Sequence, residues 1–281
     1  MIGRLCSGGR NERIAFSILG CVTVISLLPF VGIMLYLLSC GWRPLGERCV
    51  SPILIGIESH LLMSLLATVY VMVGSLLIAV LLGIGVGIYL SEYACNNLLG
   101  KRGATVLNNL ANIPPVLYGL FGWAVLAKGN KGTSWSVILL TLAVWMLPNM
   151  ASVTLRALNE IPPAFRRESQ ALGATRWQTS LYAVLRFAKG RIISDFFKAS
   201  ARLIGETAPL LVLIGVEPWG DLSGSTPLAY RVYVLLVGHM RRNQTIPYGA
   251  ALLLLVVALC LQLIGLLIEP AQQEDIDYLG N

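Results

Sequence analysis

Charge is scarce in this 281-residue chain: Lys, Arg, Asp and Glu together make up 12% of it, against about 25% in a soluble globular domain. Histidine is scarcer still, with only His60 and His239. The six cysteines (Cys6, Cys21, Cys40, Cys49, Cys95 and Cys260) include no CxxC pair and no histidine at ligand spacing. Neither a zinc site nor a Cys–His catalytic pair is supported. The chain has no GxxxxGK[ST] loop to cradle nucleotide phosphates, so it is not expected to hydrolyse ATP by itself. Heptad arrays, low-complexity tracts and internal repeats are also missing.

What fills the chain instead is apolar sequence: 56% of it, with a mean hydropathy of +0.73. These residues are gathered into long runs rather than spread evenly, which points to a membrane protein rather than a greasy globule. A helix needs about 20 mostly apolar residues to cross the hydrocarbon core. Residues 14–40, 61–90 and 246–268 meet this plainly. Weaker runs occupy 113–127, beginning at Pro114-Pro115; 134–155, interrupted by Pro148; and 192–216, which carries Asp195, Lys198, Arg202 and Glu206. The expected fold is all-α and polytopic, with about six transmembrane helices. The first run follows Arg4, Arg10 and Arg13 as a signal peptide would, but it is far longer than the ~7–15 residues of a signal core, and no A-x-A site closes it. It reads as an anchor that is kept.

Charge then orients the spans. With the N-terminus inside, the segments 1–13, 91–112 and 156–191 hold twelve Lys/Arg, and the outer segments 41–60, 128–133 and 217–245 hold seven. That bias obeys the positive-inside rule and puts both termini in the cytoplasm. The net charge of +7 is thereby read as topology, not as nucleic-acid binding. The organisation expected is a cytoplasmic segment 1–13, a membrane domain 14–268 and an acidic cytoplasmic tail 269–281. Gly83, Gly85 and Gly87 form a GxGxG without the strand that a nucleotide fold requires. Small residues permitting close helix contact are the better reading.

The long inner segment 156–191 is not a linker. After Ile161-Pro162-Pro163 it reads as helical from Ala164 to Ala188. Leu172, Trp177, Leu181, Tyr182, Val184 and Leu185 supply apolar surface, and Arg166, Arg167, Arg176 and Arg186 supply charge. So much apolar surface needs a cover. Either the helix lies on anionic headgroups or it docks into a groove on a partner.

Ala171-Leu172-Gly173-Ala174-Thr175-Arg176-Trp177-Gln178-Thr179 resembles the heart of the EAA loop of ABC-importer permeases. Gly205-Glu206-Thr207-Ala208-Pro209-Leu210-Leu211 resembles the GETAPLL stretch of PstA-type phosphate permeases. Asn108-Asn109-Leu110-Ala111-Asn112-Ile113-Pro114-Pro115, with Tyr118-Gly119-Leu120, is similar to the same subfamily's third-helix entry. The resemblance spans about residues 14–268 and implies a MetI-like permease fold in a bacterial inner membrane. It implies a non-catalytic transport subunit with no cofactor of its own and ATP on a partner chain. The partners implied are a PstC-type permease subunit, a PstB-type ATPase dimer and an extracytoplasmic phosphate-binding protein, with membrane lipid around the spans. The coupling residues implied are Arg167, Glu168, Ser169, Ala171, Leu172, Gly173, Ala174, Thr175 and Trp177. Here the EAA positions fall on Arg167, Glu168 and Ser169, so the acidic residue is displaced by one, a turn of about 100° on a helix. Leu185-Arg186 stands where many permeases have Leu-Pro.

Asp195, Lys198, Arg202 and Glu206 are spaced 3, 4 and 4, which predicts one helix face about 16 Å long. Each would cost roughly 2.5–3.5 kcal/mol facing lipid near the bilayer centre, so the face must turn inward, to a partner or to water. Asp195 and Lys198 are near enough to the inner end to snorkel. Arg202 and Glu206 lie deeper. They form either an i, i+4 pair that ties helices together or a substrate path. In the second reading Arg202 pairs with phosphate oxygens, and Glu206 keeps the attraction weak enough for release. Pro209 breaks the helix just beyond. Asn108, Asn109 and Asn112 read as interhelical hydrogen-bonding groups. Glu217, Asp221, Arg231, Arg241 and Arg242 fall in the outer loop. Permeases for molybdate, sulfate or phosphonate, and a paralogue with a sensory or scaffold role, are the alternatives. A membrane enzyme acting on lipid phosphates would need a cluster of catalytic acids or histidines, which is not there.

Overall fold

The computed structural model describes residues 10–49, 58–94, 97–126, 134–215, 226–239 and 246–268. It is helical throughout, with no strand among the described residues. The helices are α1 (Arg10–Cys49), α2 (Glu58–Ile88), α3 (Leu98–Ala111), α4 (Pro115–Phe121), α5 (Trp135–Asn159), α6 (Pro163–Ala171), α7 (Arg176–Gln178), α8 (Leu185–Gly205), α9 (Ala208–Ile214), α10 (Leu228–His239) and α11 (Ile246–Ile268). Three wider π-turns extend them: Tyr89–Tyr93 after α2, Gly122–Leu126 after α4, and Thr179–Val184 leading into α8.

Among the described residues, four stretches are long and apolar enough to cross a membrane: Ala15–Trp42, Met63–Tyr93, Trp135–Asn159 and Pro247–Ile268. Pro115–Leu126 and Leu228–Val237 are shorter apolar helices. The expected span over 192–216 is not one helix. α8 stops at Gly205, Glu206 is extended (φ −79°, ψ 111°), and α9 restarts at Ala208. Pro209 accounts for the break, because it has no N–H to continue the ladder and fits without penalty in the first turn of a new helix. Pro148, by contrast, lies buried inside α5, which runs through it.

α5 is the centre of the bundle: 72% of its spanning window is buried, against 39% for α2 and none for α1. Val71, Leu76, Ile138, Trp145, Met146, Leu203, Leu210 and Tyr230 belong to a shared core built from α2, α5, α8, α9 and α10. α2 and α5 pack most closely where glycines remove side chains. A Cβ on Gly83 would sit 2.7 Å from the Met150 Cβ, and one on Gly87 would sit 2.6 Å from the Thr154 Cβ, while Gly85 faces open space. Gly83 and Gly87, four apart, bear out the close-contact reading of the GxGxG. Buried hydroxyls in these helices are satisfied locally: Thr68, Ser75, Thr141 and Thr154 each donate to the carbonyl four residues back, at 2.6–2.9 Å.

α1 packs along α11. Gly41 lies against the Tyr248 carbonyl, and the Tyr36 and Tyr248 rings meet edge to face at 5.8 Å. Between Ala15 and Trp42 its remaining surface is exposed and largely apolar, as a lipid-facing or partner-facing helix requires. α8 is joined to α11 by Ser194, whose Oγ donates to the Gly265 carbonyl at 2.7 Å.

Candidate functional site

Two places in the bundle gather the residues singled out in the sequence: the break between α8 and α9, and the hairpin formed by α6, α7 and the start of α8.

At the break, Arg202 lies in the last turn of α8. Its side chain is 53% exposed, its Nε lies 3.9 Å from Glu206 Oε1, and its guanidinium carbon stands 5.6 Å from the ring centroid of Trp145 on α5. Glu206 caps α8 through its backbone N–H, which donates to the Leu203 carbonyl, and so lies beyond the helix. The single four-residue face is therefore corrected: three of its members lie on α8 and the fourth beyond its end. Asp195 does not join Arg202 either. It sits between Arg191 (3.7 Å) and Lys198 (3.6 Å), and Arg191 also reaches Glu160 at 3.6 Å. The segment 208–214 lies against α4, where a Cβ on Gly119 would meet the Pro209 backbone at 2.8 Å. A broken helix thus presents one guanidinium, steadied by an aromatic face and loosely paired with a carboxylate. Its exposed donors can take an anion with two oxygens in one plane.

The hairpin corrects the expectation of one helix over 164–188. α6 ends at Ala171, and Gly173 takes φ +89°, the left-handed conformation in which glycine is the usual residue at a helix C-terminus. Thr175 then caps α7, accepting from the Gln178 N–H at 3.3 Å while Gln178 Oε1 accepts from the Thr175 N–H at 2.9 Å. The tip carries exposed apolar side chains: Leu172 is 90%, Tyr182 70% and Trp177 56% accessible. Arg167, Glu168 and Ala171 are exposed on α6, and Ala174 is half-buried. Ser169 turns inward, its hydroxyl 3.1 Å from that of Thr179 across the hairpin. The displaced acidic residue, Glu168, is thus free to meet a partner, while the last of the three EAA positions holds the hairpin together.

The root of the hairpin is built on a second apolar cluster, Ile88, Ala157, Leu158, Ile161, Val184, Ala188 and Ile192, with Phe165 and Phe187 in ring contact at 5.0 Å. Above it lies an ion pair that reading the sequence did not single out. Glu92, in the π-turn after α2, accepts from Arg166 of α6 at 2.8–3.2 Å through both carboxylate oxygens. Arg166 also donates to the carbonyls of Leu158 (2.8 Å) and Ile161 (2.9 Å) at the end of α5. The available signal was a lone acidic residue closing a long apolar run.

Of the asparagines, Asn108 accepts from the Ser152 hydroxyl on α5 at 3.1 Å, an interhelical bond as expected, and Asn112 donates to the Asn108 carbonyl at 2.8 Å. Arg231 is corrected: it lies not in a loop but buried on α10, donating to the Ser64 hydroxyl of α2 at 3.0 Å. Glu217, Asp221, Arg241 and Arg242 fall outside the described residues. Among the described residues no group of three or more His, Cys, Asp or Glu is placed to hold a metal.

No family model matches the chain. Individual proteins do. The phosphate transport system permease protein PstA 2 of Mycobacterium bovis is 33% identical over 214 residues, covering 73% of this chain and 70% of its own length. A probable phosphate transport system permease protein PstA of Methanocaldococcus jannaschii is 26% identical over 267 residues, covering 89% and 91%. Among solved structures, a chain of the inward-facing MetNI methionine ABC transporter aligns over 76% of this chain and 96% of its own (TM-score 0.59, 20% identity). A chain of a bacterial alginate ABC transporter bound to its periplasmic protein aligns over 91% and 93% (TM-score 0.60, 17% identity). At those identities the structural likeness establishes a shared MetI-type permease fold.

Proposed function

The chain belongs to the PstA family of phosphate transport permeases, and from that premise we propose that it is a multi-pass membrane subunit of an ATP-driven phosphate importer. It forms part of the translocation path and makes or breaks no covalent bond. ATP is hydrolysed by a separate ATPase dimer, which grips the hairpin of α6 and α7 in the cytoplasm. A second, PstC-type permease completes the path, and an extracytoplasmic phosphate-binding protein delivers the substrate. The membrane is a bacterial inner membrane, with both termini inside.

The observation that carries this reading is Arg202 at the break between α8 and α9. A half-exposed guanidinium beside the apolar core formed by Leu203, Leu210 and Trp145 must face water or a partner. Its planar donors match phosphate oxygens. Glu206 at 3.9 Å is too distant for a tight fork, so it can lower the affinity for an anion without closing the site. A carrier needs such a balance, since a site that binds too strongly does not release. The exposed Leu172, Trp177 and Tyr182 supply the apolar anchors by which a hairpin enters a groove on another protein. In the same grip Arg167, Glu168 and Thr175 are rim contacts, while Ser169, Gly173 and Ala174 set the hairpin's shape.

The test is phosphate uptake into vesicles holding the assembled transporter. Arg202→Gln is expected to abolish uptake while the protein still inserts and co-purifies with its ATPase. Normal uptake by that variant overturns the role of Arg202. Uptake of molybdate or sulfate in preference to phosphate by the unaltered protein overturns the substrate.

A further inference from the structure

The contacts at the root of the hairpin assign a role to a residue on another helix. Glu92 stands in the π-turn Tyr89–Tyr93, where the wider winding changes the direction in which side chains leave the axis. Such turns recur at functional places in helices. Its carboxylate is met by Arg166 in a fork, with Nε at 3.0 and 3.2 Å and Nη2 at 2.8 Å. A fork fixes angle as well as distance, so one group cannot swivel on the other. The remaining donors of Arg166 reach the carbonyls of Leu158, in the last turn of α5, and of Ile161, just beyond it; the Leu158 carbonyl also accepts from the Ile161 N–H at 3.4 Å. One side chain thereby ties together α2, α5 and α6.

A second bond reinforces the tie: the Ser91 hydroxyl lies 3.0 Å from Asn159 Oδ1. The side chains of Arg166 and Glu92 are 21% and 10% exposed, so solvent ions screen them little. The other stem of the hairpin differs. There Arg191 and Glu160 are 3.6 Å apart with 39% and 53% exposure, an open pair that contributes little to rigidity. The entry of the hairpin is thus tied by a covered ion pair, while its exit is held by the apolar packing of Val184, Ala188 and Ile192.

We propose that Glu92 is a positioning residue of the transporter: through Arg166 it holds the coupling hairpin on the end of α2, so that movement of the hairpin is carried into that helix. The source of the movement, an ATPase gripping the tip, rests on the importer reading above. The fork itself does not.

Glu92→Gln separates this role from simple capping. The variant keeps the side-chain shape and leaves Arg166 free to cap α5, but removes the charge that holds the fork. Hydrogen exchange of the full-length protein in nanodiscs is expected to rise about tenfold over residues 163–178, with residues 192–205 unchanged, as loss of a charge-assisted bond predicts. Arg166→Lys, which keeps the charge but not the fork, is expected to give a similar rise, and it serves if Glu92→Gln does not insert. In the assembled transporter the same variants are expected to lower phosphate taken up per ATP hydrolysed at least threefold, while hydrolysis itself continues. Unchanged exchange overturns the proposal. So does raised exchange with an unaltered ratio of uptake to hydrolysis, since a merely structural contact would behave in that way. If the unaltered transporter moves no phosphate, the importer reading fails, and the exchange measurement alone decides the role of Glu92.

Discussion

Arg166 and Arg202 each have a glutamate within reach, and the two pairs are held in opposite ways. Arg166 meets Glu92 at 2.8 Å across 74 residues of sequence, with both side chains largely covered. Arg202 meets Glu206 at 3.9 Å, four residues away, with half of its own side chain open. The first arginine spends its donors on the protein, on a carboxylate and on helix-end carbonyls. The second keeps its donors available and rests on an aromatic ring. An arginine in an apolar bundle can therefore be a fastening or a berth, and the count of donors already used distinguishes them.

The sharpest way to break this comparison is to remove each guanidinium in turn and measure thermal stability in detergent. Arg166→Gln strands the Glu92 carboxylate and removes a donor from the Leu158 and Ile161 carbonyls, and is expected to cost about 2–4 kcal/mol. Arg202→Gln is expected to stay within about 0.5 kcal/mol of the unaltered protein, although its uptake is lost. Equal losses would erase the distinction. Next in size, Gly83→Leu forces a side chain between α2 and α5 and is expected to destabilise by about 1–3 kcal/mol. A neutral result there would mean that α2 does not lie rigidly on α5.

Arg202→Lys keeps a point charge but loses the planar fork, so uptake is expected to fall about tenfold rather than vanish. Full retention would mean that charge alone suffices. The smallest effect belongs to the aromatic support. Trp145→Phe weakens the cation–ring contact by about 0.5–1 kcal/mol, which reads as a few-fold rise in the phosphate concentration giving half-maximal uptake; because Trp145 is also a core residue, the void it leaves is expected to lower thermal stability as well.

What could be read from the sequence follows the range of the physics involved. The spans at 15–42, 63–93 and 247–268 announce themselves because bilayer thickness imposes length and apolarity on a local window, whereas the span at 135–159 reads as a weaker run because Pro148 interrupts it. Gly83 and Gly87 are legible for the same reason, since spacing on one helix fixes one face. Pro209 is visible in the sequence, but the 3, 4, 4 spacing of charges predicts a helix that runs through Glu206. The apolar pattern of the hairpin continues across Gly173 and so predicts one helix, and only the positive φ of that glycine reveals the turn. The short apolar run around Arg231 predicts a loop, yet α10 buries it against α2. The tie between Glu92 and Arg166 was beyond reach, because nothing in either neighbourhood names a partner so far along the chain.

At Gly83 and Gly87 the main chain of α2 lies directly against Met150 and Thr154 of α5, with no side chain of its own between them to bend or soak up a shift. Interiors packed in this way compress very little. A nudge given to the lower end of one rod must travel with both, like a pair of planks glued along one edge, and a bulkier residue at either glycine would act as a spacer that lets them slip.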